Sequence, residues 1–341
     1  MVQMTPQIDI PGAPPISGLV FRTFLGEPDL SRVAELINAI EVADGSFEIL
    51  SDEALANYLA NLADFEATSD LLLAEVDRRL VGVAQRLRVP RDDVLTYEMI
   101  GWVHPDWRRR GLGRAMLRYG EARQRERAAA DAANGETRPA VLSAWSHDSS
   151  IGNVALLESE GYLPVRWFFE MGRPLDVPIP ELILPAGLEL RPIEDETQAR
   201  AVLAADAEAF RDHWGARDMT EADVRRLLGD PDCDLSLWQV AWTDDAVVGS
   251  VIPMIFPADN EASGIRRGWL DRVSVRRPWR RQGVGRALIA ASLNELQRRG
   301  MEIASLGVDA DNPTGALELY EGLGFRQDKR STAYRKPIRG F

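Results

Sequence analysis

The sequence predicts an α/β protein built from two tandem domains, each with a mixed sheet flanked by helices. The main observation is a repeat: residues 103–117 align without a gap on residues 275–289, and eight of the fifteen positions are identical. The two copies start half a chain apart in a protein of 341 residues. Strand-like and helix-like segments alternate in both halves, which is typical of α/β domains. The repeat therefore indicates a duplicated α/β unit.

Other segments recur in the same order in both halves. They open a strand before a helix, lie in a hairpin-like pair of strands, or end the last helix. These pairs are Leu19–Arg22 with Leu188–Arg191, Val81–Gly82 with Val248–Gly249, and Gly161 with Gly324. The distance between partners shrinks along the chain, which predicts an insertion in the first half, in the Ala-, Asn-, Gly- and Glu-rich run 128–139.

Prolines mark the predicted domain limits. Those near the N-terminus predict a flexible arm over residues 1–18. Four more, at positions 174, 178, 180 and 185, prevent regular strand pairing and predict an extended linker over 174–185. The two predicted domains are then residues 19–173 and 186–341, each of ordinary domain size.

Composition limits the setting of the protein. A single cysteine, Cys233, allows no internal disulfide, and no Cys/His spacing suggests a metal site, so a bacterial cytoplasm is expected. The sequence shows no long apolar run that would cross a membrane. A net charge of −13 disfavours nucleic acid and anionic membranes as partners and favours a cationic small molecule. The oligomeric state is open, and a monomer whose halves pack as a pseudo-dimer is one option.

Each copy of the repeat has an Arg-rich turn with two glycines between a strand and a helix. The free N–H groups and the positive dipole end of such a helix favour a phosphate, and glycine lets it approach closely. A dinucleotide-binding turn would need a third glycine, but Met116 and Leu288 stand there. A P-loop sequence is absent. The arginines around the turns need either an anionic ligand or a salt-bridge network.

The turns Arg108–Gly113 and Arg280–Gly285 follow a strand end with the form Val-x-x-x-Trp. Residues 306–325 add a second landmark, in which Asn312 is read as a helix N-cap, Pro313 as the first helical residue and Gly324 as the helix end. Together these segments resemble the GCN5-related N-acetyltransferase (GNAT) superfamily. The resemblance implies two tandem GNAT domains with mostly antiparallel sheets, and acetyl-CoA as the cofactor.

The resemblance also implies cofactor-binding residues. Backbone groups of Val273 and Val275 would pair with the pantetheine arm, and the second turn would hold the pyrophosphate. The implied cofactor residues are Val273, Val275, Arg280, Arg281, Gln282, Gly283, Val284, Gly285, Arg286 and Asn312. A possible second cofactor site in the first half consists of Val103, Arg108, Arg109, Arg110, Gly111, Leu112, Gly113 and Arg114.

Acetyl transfer to an amine needs a base, an oxyanion donor and a proton for the leaving thiolate. Tyr320 is the candidate proton donor, and the backbone N–H of Val273 is the implied oxyanion donor. Asp271 is the candidate base, or else an ion-pair partner of Arg272 or Arg276. Asp212 and His213 form a candidate acceptor-binding pair, although a histidine in a loop is often only a hydrogen-bonding residue.

The first half departs from the family pattern. Aligning Gly161 with Gly324 places Leu157 at the position of Tyr320, so this half lacks the phenol and is predicted to be degenerate. The predicted function is an acetyl-CoA-dependent N-acetyltransferase that acts on a small primary amine by direct transfer, with its site in the second half. The layout is similar to that of the mycothiol synthases, and an antibiotic-modifying acetyltransferase or a non-catalytic acyl-CoA sensor are the alternatives.

Overall fold

In the computed structural model, which describes residues 7–312 and 315–338, the chain forms two compact units. The first unit contains the chain up to Val165 together with the residues from Thr332 onward, and the second unit is Arg166–Ser331. The division therefore falls before the predicted linker 174–185. Within that segment Leu175 is buried, and Leu182 and Leu184 pack on the core of the second unit, so the segment is not a free connector.

The sheet of the first unit has the strand order β1-β2-β3-β4-β5-β6. All neighbouring strands are antiparallel except β5 and β6, which are parallel. The strands are β1 (Gln7–Ile8), β2 (Leu19–Thr23), β3 (Leu71–Val76), β4 (Arg79–Pro90), β5 (Leu95–Val103) and β6 (Ala140–His147). The helices are α1 (Glu27–Asp44), α2 (Asp52–Ala60), α3 (Ala67–Asp70), α4 (Leu112–Ala133) and α5 (Ile151–Ser159).

The second unit repeats this arrangement with the strand order β8-β9-β10-β11-β12-β7. Its one parallel pair is β11 with β12. The strands are β7 (Leu163–Pro174), β8 (Glu189–Arg191), β9 (Gln239–Thr243), β10 (Ala246–Ile255), β11 (Arg267–Val275), β12 (Ile303–Asp309) and β13 (Arg326–Pro337). The helices are α6 (Glu196–Ala209), α7 (Glu221–Leu228), α8 (Pro257–Ser263), α9 (Val284–Arg298) and α10 (Ala316–Glu321). The predicted duplicated, mostly antiparallel α/β fold is confirmed.

Strands β7 and β13 each contribute to both units, because the unit limits fall inside them. Residues Phe168–Pro174 of β7 pair with β12 in the second unit. At the other end of the chain, Tyr334 packs in the first unit's core with Leu95 and Leu142. Each unit is thus completed by residues outside the repeat that supplies most of its sheet.

The insertion predicted for the first half lengthens a helix. Helix α4 has 22 residues, whereas its counterpart α9 has 15, so the extra residues extend α4 before the loop that leads to β6. In the described residues, no helix combines the length and the apolar composition needed to cross a membrane.

The expected flexible arm is wrong for the residues after position 6. Strand β1 pairs with β2, and the Ile10 side chain is buried in the first unit's core. Ile8 and Ile16 pack against the same cluster. The first six residues lie outside the described part of the chain.

Candidate active site

The second turn forms a concave cluster of backbone N–H groups at the start of α9. Arg281 has φ +63° and Gly283 has φ +89°, so two left-handed residues alternate with right-handed or extended ones. Such a sequence of dihedral angles turns successive N–H groups toward one side and makes an anion site. No side chain caps the first turn of α9, and a Cβ added at Gly283 would meet no atom within 4 Å. The turn is therefore open to a phosphate.

Three arginines around this turn belong to a salt-bridge network. Arg280 donates from Nε to the Val275 carbonyl at 3.0 Å and from Nη1 to Asp212 Oδ2 at 2.7 Å. Arg277 also pairs with Asp212, and Arg276 Nη2 lies 2.9 Å from Glu208. Hydrogen bonds from Arg277 and Arg280 hold the pKa of Asp212 well below its ordinary value.

This network changes the interpretation of two predicted site residues. The side chain of Arg280 donates hydrogen bonds to the Ala209 carbonyl, at the end of α6, and to Asp212, just after it. It therefore holds the Arg-rich turn against this segment and is not free for a phosphate. Asp212 is already paired with arginine, so the prediction that it binds an acceptor ammonium gains no support from the geometry. The salt-bridge alternative holds for Arg276, Arg277 and Arg280, whereas Arg281 and Arg286 have no ion-pair partner among the described residues.

The other predicted cofactor residues at the turn have packing roles as well. Gln282 donates from its side chain to the Pro278 carbonyl, which leaves its backbone N–H for the turn. Val284 is buried in the core. A Cβ added at Gly285 would lie 3.5 Å from a Val275 methyl group and 3.8 Å from Leu319. Gly285 therefore lets the start of α9 pack closely against β11 and α10.

A cleft opens in the sheet beside this turn. The parallel ladder between β11 and β12 joins only Arg267–Trp269 to Ile303–Ser305, although both strands continue further. Beyond Trp269, β11 pairs with β10 on one side only. Backbone polar groups of Val273 and Val275 thus face a side on which no strand ladder satisfies them. Because buried backbone groups need partners, this edge suits an extended amide-bearing ligand.

Asp271 lies at a bulge in β11. The register with β10 passes from Arg272 opposite Ile252 to Leu270 opposite Pro253, so Asp271 is the extra residue. A bulge of this kind redirects a side chain, and bulges are common beside active sites. The side chain is accessible to water, yet the surrounding protein desolvates the carboxyl group and raises its pKa. This combination is expected of a carboxylate in a cleft.

The alternative that Asp271 is an ion-pair partner of Arg272 or Arg276 is wrong. Arg272 pairs with Asp206 and Arg276 pairs with Glu208. No salt bridge joins Asp271 to any described residue. Its carboxylate is therefore available to a ligand.

Tyr320 lies on α10 in the core of the second unit. It is 6% exposed, and its ring packs edge-on against Phe325 with the ring centroids 5.9 Å apart. Burial raises the pKa of the phenol to about 12, so the hydroxyl keeps its proton at neutral pH. This hydroxyl makes no hydrogen bond to the described residues. The hydroxyl is therefore available to hydrogen-bond to a ligand.

His213 lies in an aromatic face after α6. Its ring centroid is 4.3 Å from that of Phe210, and the neighbouring Trp214 packs at 6.1 Å from Phe168 of β7. Burial lowers the pKa of His213, while the charge of Asp309 opposes that effect. The imidazole is therefore neutral at neutral pH and can accept a proton.

Sequence reasoning missed two pairs at this face. Arg166 Nε donates to Asp309 Oδ1 at 2.8 Å, which ties β7 to the end of β12. Asp206 of α6 pairs with Arg272 of β11. The helical spacing of apolar residues in α6 places the charged Asp206 at a position that faces the core. That was the signal in the sequence that could have identified it.

The helix read from Asn312 begins later than predicted. Helix α10 starts at Ala316 with Gly315 in the N-cap position, so Asn312 does not cap it. Asn312 instead follows β12 in a turn, where its N–H donates to the Asp309 carbonyl at 3.1 Å. Pro313, the predicted first helical residue, lies outside the described residues.

The first turn has the same backbone but a different environment. Arg109 and Gly111 have φ +62° and +88°, which match Arg281 and Gly283. However, a Cβ added at Gly111 would lie 3.5 Å from Pro14 of the N-terminal segment. Leu112 of this turn is buried in the cluster that contains Ile10. The N-terminal segment thus packs beside the first turn, although Gly111 itself remains exposed.

Side chains around the first turn are also paired. Arg108 donates to the Val103 carbonyl and to Asp44, as Arg280 does to Val275 and Asp212. Arg114 Nε lies 2.8 Å from Glu160, and the Arg110 guanidinium lies 4.8 Å from the centre of the Trp107 ring. The counterpart of Arg114 is Arg286, which has no such carboxylate among the described residues. Gly113 packs between Leu156 and Val103, as Gly285 packs in the second unit.

The first-unit cleft is shorter and has no bulge. Strand β5 pairs with β6 from Leu95 to Met99, two positions further than the matching pair in the second unit, and its register with β4 is continuous. Met99 stands at the position of Asp271, and Leu157, at the position of Tyr320, is buried. The first half therefore has neither of the two candidate catalytic side chains.

Comparison with known proteins agrees with the duplicated fold. Residues 199–325 match the model of the acetyltransferase (GNAT) family, and residues 67–148 match that of an acetyltransferase (GNAT) domain. A mycothiol acetyltransferase of Thermomonospora curvata is 32% identical over 94% of this chain and 97% of its own length. One of Salinispora arenicola is also 32% identical, over 94% of this chain and 98% of its own.

Solved structures show the same architecture. A GCN5-related N-acetyltransferase from Sphaerobacter thermophilus superposes with a TM-score of 0.66 at 26% identity, covering 97% of this chain and 98% of that one. A tandem GNAT protein from the clavulanic acid biosynthesis pathway superposes with a TM-score of 0.64 at 17% identity. It covers 95% of this chain and 99% of its own, and at that identity it supports the fold alone.

Proposed function

We propose that this chain, which belongs to the GNAT family of acetyltransferases, transfers an acetyl group from acetyl-CoA to a primary amine of a small molecule. That the chain is an N-acetyltransferase follows from its family and relatives. The proposal adds the donor, the direct transfer between two bound substrates, and the location of the reaction in the second unit. The observation that carries it is the open second turn beside the unpaired edge of β11, with Tyr320 and Asp271 in the same unit.

The donor site fits the chemistry of coenzyme A. A pyrophosphate suits the N–H cluster at Gly283, and the free guanidinium groups of Arg281 and Arg286 add positive charge there. The two amides of a pantetheine arm suit the unpaired backbone of Val273 and Val275. An extended ligand in this cleft would replace the strand pairing that ends at Trp269.

The candidate side chains match the proton transfers of the reaction. Asp271 accepts a proton from the acceptor ammonium, and the free amine attacks the thioester carbonyl carbon. The N–H of Val273 stabilises the oxyanion, the carbon–sulfur bond breaks, and the Tyr320 hydroxyl gives its proton to the leaving thiolate. The attacking nitrogen then gives its extra proton to the Tyr320 phenolate, and Asp271 releases its own proton to water. His213, which is neutral, is a second candidate for the base.

Direct transfer is favoured over an acyl-enzyme because the chain offers no reactive thiol. Cys233 is the only cysteine. Burial raises the pKa of its thiol to about 11, so the nucleophilic thiolate is scarce at neutral pH. Both substrates would therefore have to be bound together.

The proposed acceptor is a small cationic amine. The available Asp271 carboxylate attracts an ammonium group, and the net charge of −13 favours a cation. The relatives are named mycothiol acetyltransferases, so the amine that those enzymes acetylate is the first acceptor to test. Antibiotic amines form the second group.

Release of free thiol from acetyl-CoA in the presence of a panel of amines tests this function. We expect amine-dependent release, with a cationic small molecule as the preferred acceptor. A non-catalytic acyl-CoA sensor would bind acetyl-CoA and release no thiol above the buffer rate with any amine. The Tyr320→Phe variant is the control, because it should keep acetyl-CoA binding while it loses most of the release.

A further inference from the structure

An ion pair whose carboxylate is fully buried and whose arginine is partly exposed joins α6 to β11 in the second unit. Asp206 has no exposed surface, and its Oδ2 accepts a hydrogen bond of 2.6 Å from Arg272 Nε. The Arg272 guanidinium also lies over the Phe210 ring, 4.8 Å from its centre. The other carboxylate oxygen of Asp206 is buried without a hydrogen-bond partner among the described residues. The pair is thus only partly satisfied.

The first unit shows that the fold does not need this pair. Buried residues of α1 and α6 correspond at a constant spacing, with Val33 matching Val202, and Ile37 then matches Asp206. On the sheet, Ile100 stands opposite Gln85 as Arg272 stands opposite Ile252. Two isoleucines therefore occupy the positions of the ion pair in the half that lacks the candidate catalytic side chains.

Retaining such a pair has an energetic cost. Removing the Asp206 carboxylate from water is expensive, and replacement of a buried ion pair by apolar residues of similar volume is often neutral or stabilising. The unpartnered oxygen of Asp206 increases this cost. The first unit keeps a buried pair of its own, Arg22–Asp29, so burial alone does not indicate a function. The position of Asp206–Arg272 beside Asp271 is what distinguishes it.

The pair lies between the two candidate bases. Arg272 directly follows the bulged Asp271, and Phe210, on which its guanidinium rests, stacks on His213. An anchor at Arg272 therefore fixes both the bulge and the aromatic face. No comparable anchor links α1 to β5 at Ile37 and Ile100.

We propose that Asp206 and Arg272 form a positioning pair that holds the Asp271 bulge and the Phe210–His213 face in the geometry needed for acetyl transfer. The pair touches neither the acetyl group nor coenzyme A, so it acts through Asp271 and His213. This inference rests on the proposed function.

The main test replaces the pair with the residues of the first unit. The double variant Asp206→Ile/Arg272→Ile should fold with an unchanged or higher Tm and bind acetyl-CoA with unchanged affinity. Its kcat should fall by up to about 100-fold, because a small misplacement of a reacting group has effects of that size. The matched control is Asp234→Asn/Arg299→Gln, which removes an ion pair of 3.0 Å at the surface of the same unit and should leave kcat unchanged.

A pH profile separates positioning from general destabilisation. Desolvation is the largest influence on the pKa of Asp271. Among the surrounding charges, Arg272 and Arg226 lower that pKa, whereas Asp206 and Asp230 raise it. Arg272→Gln should therefore move the acid limb of kcat/KM to higher pH, and Asp206→Asn should move it to lower pH. Loss of stability alone would not shift the limb in opposite directions.

The outcomes separate a failure of the positioning role from a failure of the proposed function. If the wild-type protein releases thiol and the folded double variant keeps full kcat with an unshifted profile, the positioning role is wrong and the proposed function stands. If the wild-type protein releases no thiol with any amine, the proposed function fails and the positioning role fails with it.

Discussion

Pro14 packs beside Gly111, the glycine that precedes the helix of the first turn. The proline Cβ lies 3.5 Å from the position that a Cβ on Gly111 would take, whereas the equivalent position on Gly283 has no atom within 4 Å. The backbone of the two turns is nearly the same, so the turns differ in the residues that lie beside them. The N-terminal segment and the Glu160 carboxylate on Arg114 occupy the first turn's surroundings. The second turn has neither.

This difference predicts that the protein binds one acetyl-CoA per chain. Isothermal titration calorimetry should give a stoichiometry near one for the wild type. Glu160→Gln removes the ion pair with Arg114 but leaves the N-terminal segment beside the first turn, so its stoichiometry should also be near one. Gly283→Asp should abolish the binding heat. Uptake of two molecules per wild-type chain would contradict the assignment of cofactor binding to the second turn alone.

Tyr320→Phe should lower turnover by about 10²- to 10⁴-fold with little change in acetyl-CoA affinity. The hydroxyl makes no hydrogen bond to the described residues, so its removal should leave the Tm nearly unchanged. Steady-state thiol release measures the loss. Tyr162→Phe is the control, because it removes the hydroxyl of a buried tyrosine in the first unit and should leave turnover intact. Equal turnover of the two variants would make Tyr320 a packing residue.

The pH dependence of kcat/KM should contain an acid limb set by Asp271. Desolvation raises the pKa of this carboxyl group, so the base is lost by protonation as the pH falls through a value above the ordinary aspartate range. Asp271→Asn should remove that limb and lower kcat by about 10²- to 10⁴-fold. If His213→Gln removes the limb and Asp271→Asn does not, the histidine is the base.

Asp212→Ala should weaken acetyl-CoA binding several-fold, because the carboxylate anchors Arg277 and Arg280 beside the turn. A titration with acetyl-CoA measures the change. Asp44→Ala is the matched variant in the first unit, where Asp44 anchors Arg108, and it should leave acetyl-CoA affinity unchanged. If Asp212→Ala raises only the acceptor KM, Asp212 binds the acceptor, as the sequence first suggested.

Much of this fold was predictable because duplication makes each half a check on the other. The two Arg-rich turns gave the strand-to-helix connections, and the aligned Gly161 and Gly324 gave the missing phenol at Leu157. The helix start at Ala316 was mispredicted because Asn-Pro resembles a cap wherever it occurs. The sequence predicts a flexible N-terminal segment because prolines interrupt the spacing of the apolar residues Ile8, Ile10 and Ile16.

The ion-pair partners of the arginines could not be predicted from the sequence. Arg280 and Arg281 are adjacent and chemically identical, yet one pairs with Asp212 and the other has no ion-pair partner among the described residues. The two residues also differ in backbone, because Arg281 is left-handed. The pair Asp206–Arg272 joins residues 66 positions apart and depends on how α6 packs on β11.

The most direct test of the central claim is thiol release by the paired variants Gly111→Asp and Gly283→Asp. Both glycines have nearly the same positive φ, so the two substitutions impose a similar backbone strain and add the same charge. With acetyl-CoA and the preferred amine, Gly111→Asp should keep most of the wild-type rate, and Gly283→Asp should lose it while circular dichroism shows both folded. Loss of activity in folded Gly111→Asp, or its retention in Gly283→Asp, would contradict the assignment of acetyl transfer to the second half.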